Sequence, residues 1–495
     1  MTRLSLRTIL ILIFCLLTII SSFIEAAQYS ESTKKNLHKN SVTLANEILS
    51  LTLTDAVAIG LRNNRSIHSA YLERVAQKFD LIVEEDRYRP KLVISARNLS
   101  LRNQNDRYRR TEIIPQTTLL TEYGTRLSLS WSNQLTIAEQ AGRSRNDGAS
   151  LAIIQPLLKG AGRDIATAPL RLAKLREKAN LLALKSTVSG TITKIIIGYR
   201  EVLRSQEQLQ IAKKALDRSK DLLEANKVMI ASGRMAAFEI VQTEADVVNQ
   251  ELNVEEASNQ LDTSRLHLLS LLAIDLATRV VAVDKLEAYH FDLDLNEALL
   301  MAQQKQPDYL MQLIISEEAT LALAIAQNER LWDVSLIGGA TQVRDHYSTD
   351  DGKFASRAWE GYAGIQVDVP IGDLSRKQAE VHARVNVDNQ EIKLSEYRQS
   401  LERSVRDSVR DLGTRWRQYE ISQRARDLSL KKLNVEREKL QAGRSSNFQV
   451  LSFETDLRNA ESARLNALIA YLNTQAVVDE TFGTTLDSWD INLHE

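Results

Sequence analysis

Residues 186–227, STVSGTITKIIIGYREVLRSQEQLQIAKKALDRSKDLLEANK, carry an apolar side chain at every seventh position. The file runs through Val188, Ile195, Val202, Leu209, Leu216 and Leu223 to Ile230, just beyond the quoted stretch. After a short break at 231–237, ASGRMAA, a second seven-residue file holds Ile240, Val247, Val254, Leu261 and Leu268. A 3.5-residue repeat keeps its seam facing a partner only when helices wrap one another. Two such helices joined by a short glycine-bearing break predict an antiparallel helical hairpin. An ordinary coiled-coil stalk fits this stretch equally well, so the rest of the chain decides.

Working outward, proline is the most telling residue. The six in the 495-residue chain leave 170–306 and everything after Pro370 free of it. Proline disrupts helix interiors, so these two expanses have room for unusually long helices. Ile165 to Ala231 predicts a helix roughly 100 Å long, with Pro169 tolerated in its first turn. Gln378 to Ala442 predicts the counterpart, with Leu394, Leu401, Val405, Leu412, Leu428, Val435 and Leu440 on its apolar side. Gly443-Arg-Ser-Ser-Asn447 matches Gly233-Arg-Met-Ala-Ala237, Phe448 matches Phe238, and a returning helix follows each. A chain of this length usually makes more than one domain. Charged residues are 26% and balanced to a formal net charge of −1, which leaves no basic footprint for nucleic acid and no acidic tail.

At the N-terminus, Arg3 and Arg7 precede an apolar run from Ile9 to Ile20 and a small-residue site at Ile24-Glu-Ala-Ala27. This predicts a signal peptide over 1–27 and export. A retained anchor fits less well, because the apolar run is short for a span of ~20 residues. The only cysteine, Cys15, lies inside that run, and Phe14 before it is too bulky for a lipid-attachment signal. The mature chain is therefore expected to lack cysteine, disulfide and N-terminal lipid. No other stretch reads as apolar and long enough to cross a bilayer as a helix, so any later crossing would use strands.

Residues 28–50 read as a mobile leader, and 483–495 as a C-terminal tail. Between them lie two repeats, 51–285 and 286–482. Each starts with a helical pattern, Leu53-Thr-Asp-Ala-Val57 and Leu295-Asn-Glu-Ala-Leu299, with Thr54 and Asn296 in the expected cap positions. Pro90 stops the first pattern, and Trp332 stands at the equivalent place in the second. The period then changes to two. Lys91–Leu101, Tyr123–Trp131 and Ser150–Gln155 are the strand candidates of the first repeat, and Val334–Ala340 and Tyr362–Val369 those of the second. Polar loops are expected at Arg102–Arg110, Glu139–Gly148 and Asp345–Ser356. A half-buried soluble sheet fits any one of these strands, whereas transmembrane strands need ~9–11 residues with one apolar face. If helices lie on one side of a membrane before and after the strands, the crossings must be even in number. Two spans per repeat are therefore expected, with Tyr123–Trp131 an outer excursion or an extension of the first strand.

At this point the chain resembles the TolC-like outer-membrane efflux family over essentially all of the mature sequence. The resemblance rests on 53–57 with Leu61-Arg-Asn-Asn64, on 295–299 with Gln306-Pro-Asp308, and on Gln155-Pro-Leu-Leu-Lys-Gly-Ala-Gly162. Val369-Pro-Ile-Gly372 and the two Gly-Arg turns complete it. It implies a mainly α fold with a small β part: long antiparallel coiled-coil hairpins forming an α-barrel tunnel, and four strands per chain in a trimeric twelve-stranded transmembrane β-barrel. Four strands cannot close a barrel whose minimum is about eight, so oligomerisation follows from the residues and the homotrimer from the family. The implied protein is an outer-membrane channel-tunnel of a tripartite efflux or type I secretion system. It would be a passive conduit in outer-membrane lipid, with a periplasmic helical tunnel, fed by an inner-membrane transporter through a periplasmic adaptor (membrane fusion) protein. Adaptor docking is expected at Gly233, Arg234, Gly443 and Arg444; glycine lets the chain reverse, and arginine bonds carbonyls or carboxylates. The plain alternative is that Gly-Arg merely caps a helix. Family members often narrow the tunnel mouth with two acids after the second turn. Those positions hold Gln449 and Ser452 here, and Glu454, Asp456 and, in the first repeat, Glu239 are the nearby candidates.

Enzyme signals are weak. The seven histidines (His38, His68, His267, His290, His346, His382, His494) are scattered without metal-ligand spacing. Lys159-Gly-Ala-Gly-Arg163 lacks the Gly-Lys-Ser/Thr of a phosphate loop. No catalytic residue, cofactor or metal is expected. The competing class is a periplasmic coiled-coil adaptor or scaffold without a pore.

Overall fold

The computed structural model describes residues 49–102, 104, 106–139, 142–349 and 352–493. The expected signal peptide and nearly all of the leader, with Cys15 and His38, lie outside the described residues, as does His494.

The chain opens with β1 (Leu49–Leu51), α1 (Leu53–Asn63) and α2 (Arg65–Asp86), then four strands, β2 (Lys91–Arg102), β3 (Arg107–Leu120), β4 (Arg126–Ala138) and β5 (Arg143–Pro156). A short α3 (Arg163–Ala166) leads into the 64-residue α4 (Ala168–Ala231), and a 3-10 turn at Ala237–Glu239 starts the returning α5 (Ile240–Leu272). After β6 (Val280–Ala282), the order is α6 (Leu295–Lys305), α7 (Pro307–Glu329), β7 (Asp333–Thr349), β8 (Gly352–Asp368), the 67-residue α8 (Ser375–Gln441), α9 (Asn447–Phe482) and α10 (Thr485–Ser488).

Several expectations are corrected. The first helical pattern of each half is two helices, broken at Asn64 and Gln306, both in extended backbone. Gln306 precedes Pro307, whose ring pushes the preceding residue out of the helical region, and its side chain caps Tyr309 N at 2.6 Å. The caps fall two residues earlier than read: Thr52, in a capping box with Asp55, and Asp294, which accepts from Asn296 N and Glu297 N. Two helices, α4 and α7, are long and apolar enough by composition to cross a membrane, contrary to the sequence reading. Half of that apolar stretch is buried in α4 but only 17% of it in α7; separately, Ala168 and Leu175 of α4 form one buried cluster with Leu321 of α7.

The strand count is the largest correction. The sheet has six strands in the order β2-β3-β4-β5-β7-β8, every neighbour antiparallel. Tyr123–Trp131 is no excursion: its residues from Arg126 onward belong to β4, a full ladder member. The expected loops at 102–110, 139–148 and 345–356 are largely strand. Their Gly, Asp, Ser and Asn content reads as loop, yet ladder hydrogen bonds, with two neighbours on the inner strands and one on β2 and β8, override that weak preference. The unforeseen β3 carries Pro115, which has no N–H to give. The β3–β4 ladder skips Ile114 and Pro115 and resumes in register, while the β2–β3 ladder is unbroken.

Two units organise the described residues. The first comprises residues up to 64, 194–287 and 422–469. Here β1 and β6 pair in parallel, Leu51 facing Ala282. Tyr199, fully buried, donates to Leu51 O at 2.8 Å and Asp284 at 2.7 Å. Along α4, Ile195 and Val202 are buried as read, whereas Leu209, Leu216 and Leu223 are half-buried. The seven-residue file that goes inside is Ser205, Ala212, Ser219 and Asn226. Ser205 meets Ser264 at 2.8 Å, Ser219 donates to Asp246 at 2.6 Å, and Asn226 to Thr243 at 2.7 Å. Small residues let α4 and α5 approach closely, and the buried Ser205 and Ser219 hydroxyls and the Asn226 amide nitrogen each find a partner, while Asn226 Oδ1 has none among the described residues. The second unit comprises residues 65–193, 288–421 and 470 onward, and holds the sheet. Its main cluster buries Ala298, Ala302, Tyr309, Leu401, Val405, Val478 and Phe482.

Candidate functional site

Two places carry features that packing alone leaves unused: the faces of the sheet and the turns between the long helices. Side chains alternate across a strand, so the register assigns each residue to a face. One face collects Leu92 and Ile94 of β2, Leu127, Leu129 and Trp131 of β4, Leu151 and Ile153 of β5, Val334 and Leu336 of β7, and Ile365 and Val367 of β8. Most of these stand open: Leu92, Ile94, Leu129, Trp131 and Ile365 are all more than half exposed. Trp131 and Trp359 share one ladder row, joined through Ala149 and Gln342.

The opposite face is polar. Gln116 donates to Ser128 at 3.0 Å, Ser150 meets Thr341 at 3.3 Å, and Asn146 donates to Asp345 at 2.6 Å. All four junctions with the long or paired helices (α2–β2, β5–α3, α7–β7 and β8–α8) lie at one end of the sheet. The β3–β4 turn is also at that end, where Glu122 pairs with Arg163 at 2.9 Å. Gly124, at φ +87°, sits so close that a Cβ there would come 2.4 Å from Gly160 O. The β2–β3, β4–β5 and β7–β8 turns are at the other end. The edges, β2 and β8, each lack a second neighbour among the described residues.

The two helix turns are built alike. At the end of α4, Gly233 has φ +71°, its N–H donates to Ile230 O, and Arg234 N–H donates to Met229 O. At the end of α8, Gly443 has φ +70°, with bonds to Leu440 O and from Arg444 to Lys439 O. Both are Schellman caps, which need a left-handed residue at that place. Nothing lies within 4 Å of a Cβ at either glycine, so conformation and not space selects glycine. Arg234 and Arg444 are exposed, and so are Phe238 and Phe448, at 76% and 67%. Inside the turns, Asn226 and Asn447 are buried around Thr243. Asn447 donates to Thr243 at 2.9 Å and its carbonyl oxygen accepts from Asn226 at 2.9 Å.

Of the residues expected near a tunnel mouth, Glu239 and Gln449 are half-buried, and Ser452 is exposed. Glu454 is buried between two arginines: it accepts from Arg218 Nε at 2.8 Å and also pairs with Arg437. Asp456 is exposed and pairs with Lys432 at 3.0 Å, whose Nζ stands 3.6 Å from the centroid of the Phe453 ring. The Arg218–Glu454–Arg437 cluster had no signal in spacing, because 218 and 454 are brought together only by packing. Among the described residues no group of three or more His, Cys, Asp or Glu is placed to hold a metal.

No family model and no curated protein matches the chain. Solved structures do. The CmeC outer membrane channel of Campylobacter jejuni matches with a TM-score of 0.65 and 15% identity, over 88% of this chain and 86% of that one. The MtrE outer membrane channel of Neisseria gonorrhoeae, in its open state, gives 0.66 and 16%, over 88% and 89%. The outer membrane protein VceC of Vibrio cholerae gives 0.65 and 14%, over 87% and 96%. The chain has the fold of the TolC-like outer-membrane channels.

Proposed function

We propose that the protein is an outer-membrane channel in which several copies join their sheets into one barrel and their helices into a periplasmic tunnel. The observation that carries this is the two-faced sheet: an open apolar face against lipid and a polar face towards water, with every junction to the helices at one end. Six strands are still fewer than the eight of the smallest known barrels, so a wall needs more than one copy. Because six is even, β8 of one copy meets β2 of the next in antiparallel sense, as a closed barrel requires. Three copies, as in the homotrimer the resemblance implies, give eighteen strands, not twelve. Leu209, Leu216 and Leu223, half-buried within one chain, are then free to pack in seams between copies.

The conduit is passive. Its cargo, whether small molecule or secreted protein, is set by an inner-membrane transporter reached through a periplasmic adaptor. Exposed Arg234, Phe238, Arg444 and Phe448 beside the glycine caps are the groups offered to that adaptor. No enzymatic step is assigned. Planar-bilayer recording tests the reading. Purified mature protein is expected to insert from detergent and give discrete conductance steps. A protein released by osmotic shock, water-soluble and silent in bilayers, would instead be a periplasmic scaffold.

A further inference from the structure

Beyond the tryptophan row, away from the helix junctions, the apolar face of the sheet turns cationic. Arg344 and Arg357 come first, directly opposite one another on β7 and β8. Arg145 and Arg143 follow on β5, and Lys353 on β8. Across the sheet, Arg102 of β2 stands directly opposite Arg107 of β3, with Arg109 two residues along on the same face. All eight side chains are exposed. Among the described ladder residues of this stretch and face, Asp147 is the single carboxylate, paired with Arg145 at 2.9 Å. The other face at the same level is mixed, Arg97 and Arg110 against Glu112 and Asp345. The acids Asp106 and Glu139 lie in the turns beyond.

Two features point to an anion. Like charges directly opposite across a ladder destabilise it, and the sheet carries two such arginine pairs, 102/107 and 344/357, the second with Asp147 opposite Arg344 on its other side. A phosphate between the members of each pair relieves the repulsion, and guanidinium groups match phosphate oxygens two at a time. The level is the second feature. Arg344 and Arg357 are two residues outward from Gln342 and Trp359, or about 7 Å along the strand. Aromatic rings mark the headgroup zone of a bilayer, so Arg344 and Arg357 lie just where headgroup phosphates are, whereas Arg102 and Arg107 stand eight residues beyond the row.

We propose that this collar binds the phosphates of an anionic lipid in the leaflet at the turn end of the barrel. The proposal rests on the membrane-channel reading. The test uses the full mature chain in detergent and reads retained ligand by native mass spectrometry. Three probes are titrated: a diphosphorylated glycolipid, a phosphatidylcholine of equal chain length, and inorganic phosphate. The diphosphorylated lipid is expected to be retained and the other two are not. Arg344→Gln with Arg357→Gln should weaken retention roughly thirtyfold, taking about a factor of five for each near-surface cation. Lysine at both positions keeps the charge without the two-pronged bond, so its retention should fall between parent and glutamine variant. Without lipid, the glutamine double variant should melt at the same temperature as the parent or higher, because repulsion has been removed. Equal retention by parent and glutamine variant overturns the collar, as does equal retention of phosphatidylcholine. Inorganic phosphate bound as tightly as the lipid overturns it too, and assigns the arginines to a soluble anion. In each of these results the protein still needs detergent and still conducts, so the channel reading survives. A water-soluble, non-conducting protein removes both.

Discussion

Replacing Leu129 with arginine tests the assignment of the two faces. Leu129 is 55% exposed on β4, and its ladder partners on the same face are Leu151 on β5 and Thr117 on β3. With lipid on that face, a cation near the middle of the wall costs about 2–4 kcal/mol, or roughly 30- to 900-fold in the folding equilibrium. Ser130, one residue on, belongs to the polar face, where an added arginine keeps its water. There the same substitution should cost under about 1 kcal/mol. Urea titration of refolding into lipid vesicles, with the heat-modifiable shift on gels as readout, compares the two variants directly. A gap of about 1 kcal/mol or more is expected, Leu129→Arg being the weaker. Equal costs, or a larger cost at Ser130, would show that the apolar face does not meet lipid.

The other predictions concern the helices, the β3–β4 turn and pH. Glu454→Gln removes the charge held between Arg218 and Arg437 and should destabilise by about 1.5–3 kcal/mol in chemical denaturation, the range for hydrogen bonds to charged groups; an unchanged midpoint would show that the cluster is idle. Gly443→Ala forces a side chain into left-handed backbone and should cost about 1–2 kcal/mol. Gly124→Ala adds a clash with Gly160 O to the same strain, so it should melt at a lower temperature than Gly443→Ala; the reverse order would argue against the β3–β4 turn being seated on Gly160. Burial, followed by the bond to Asp284, pushes the Tyr199 phenol well above its usual value. The folded state therefore favours the protonated form. The associated stability is whole below the ordinary tyrosine value of about 10 and is lost as pH rises beyond it. Alkaline denaturation curves of the parent should steepen above that pH, and Tyr199→Phe should flatten them; parallel curves would refute the assignment.

Much of the fold was legible because helices of this length leave periodic traces. The proline-free expanses and the paired Gly-Arg breaks located α4, α5 and α8, and the start of α9, to within a few residues. The seam was less legible. A heptad of leucines announces a buried file, but along α4 the file inside is Ser205, Ala212, Ser219 and Asn226, where close approach and paired polar groups outweigh apolar area. The strands were harder still. Residues 107–120 contain a proline and three arginines, and their membership of the sheet comes from partners on both sides, which no local pattern records. The collar was hidden for the same reason: its arginines lie in stretches whose composition reads as loop, and only register puts them on one face. At the turns, the sequence did lead to Gly233 and Gly443, and the Schellman bonds give the physical reason for glycine there. The Arg218–Glu454–Arg437 cluster joins positions more than two hundred residues apart, beyond any spacing argument.

On the channel reading, the chain is one part of a multi-copy wall. Its most direct test is the mass of the mature protein purified in detergent, measured by native mass spectrometry. Three chains released together, and lost when detergent is withdrawn, are what the account predicts. A single chain, stable and monodisperse in plain buffer, would contradict it.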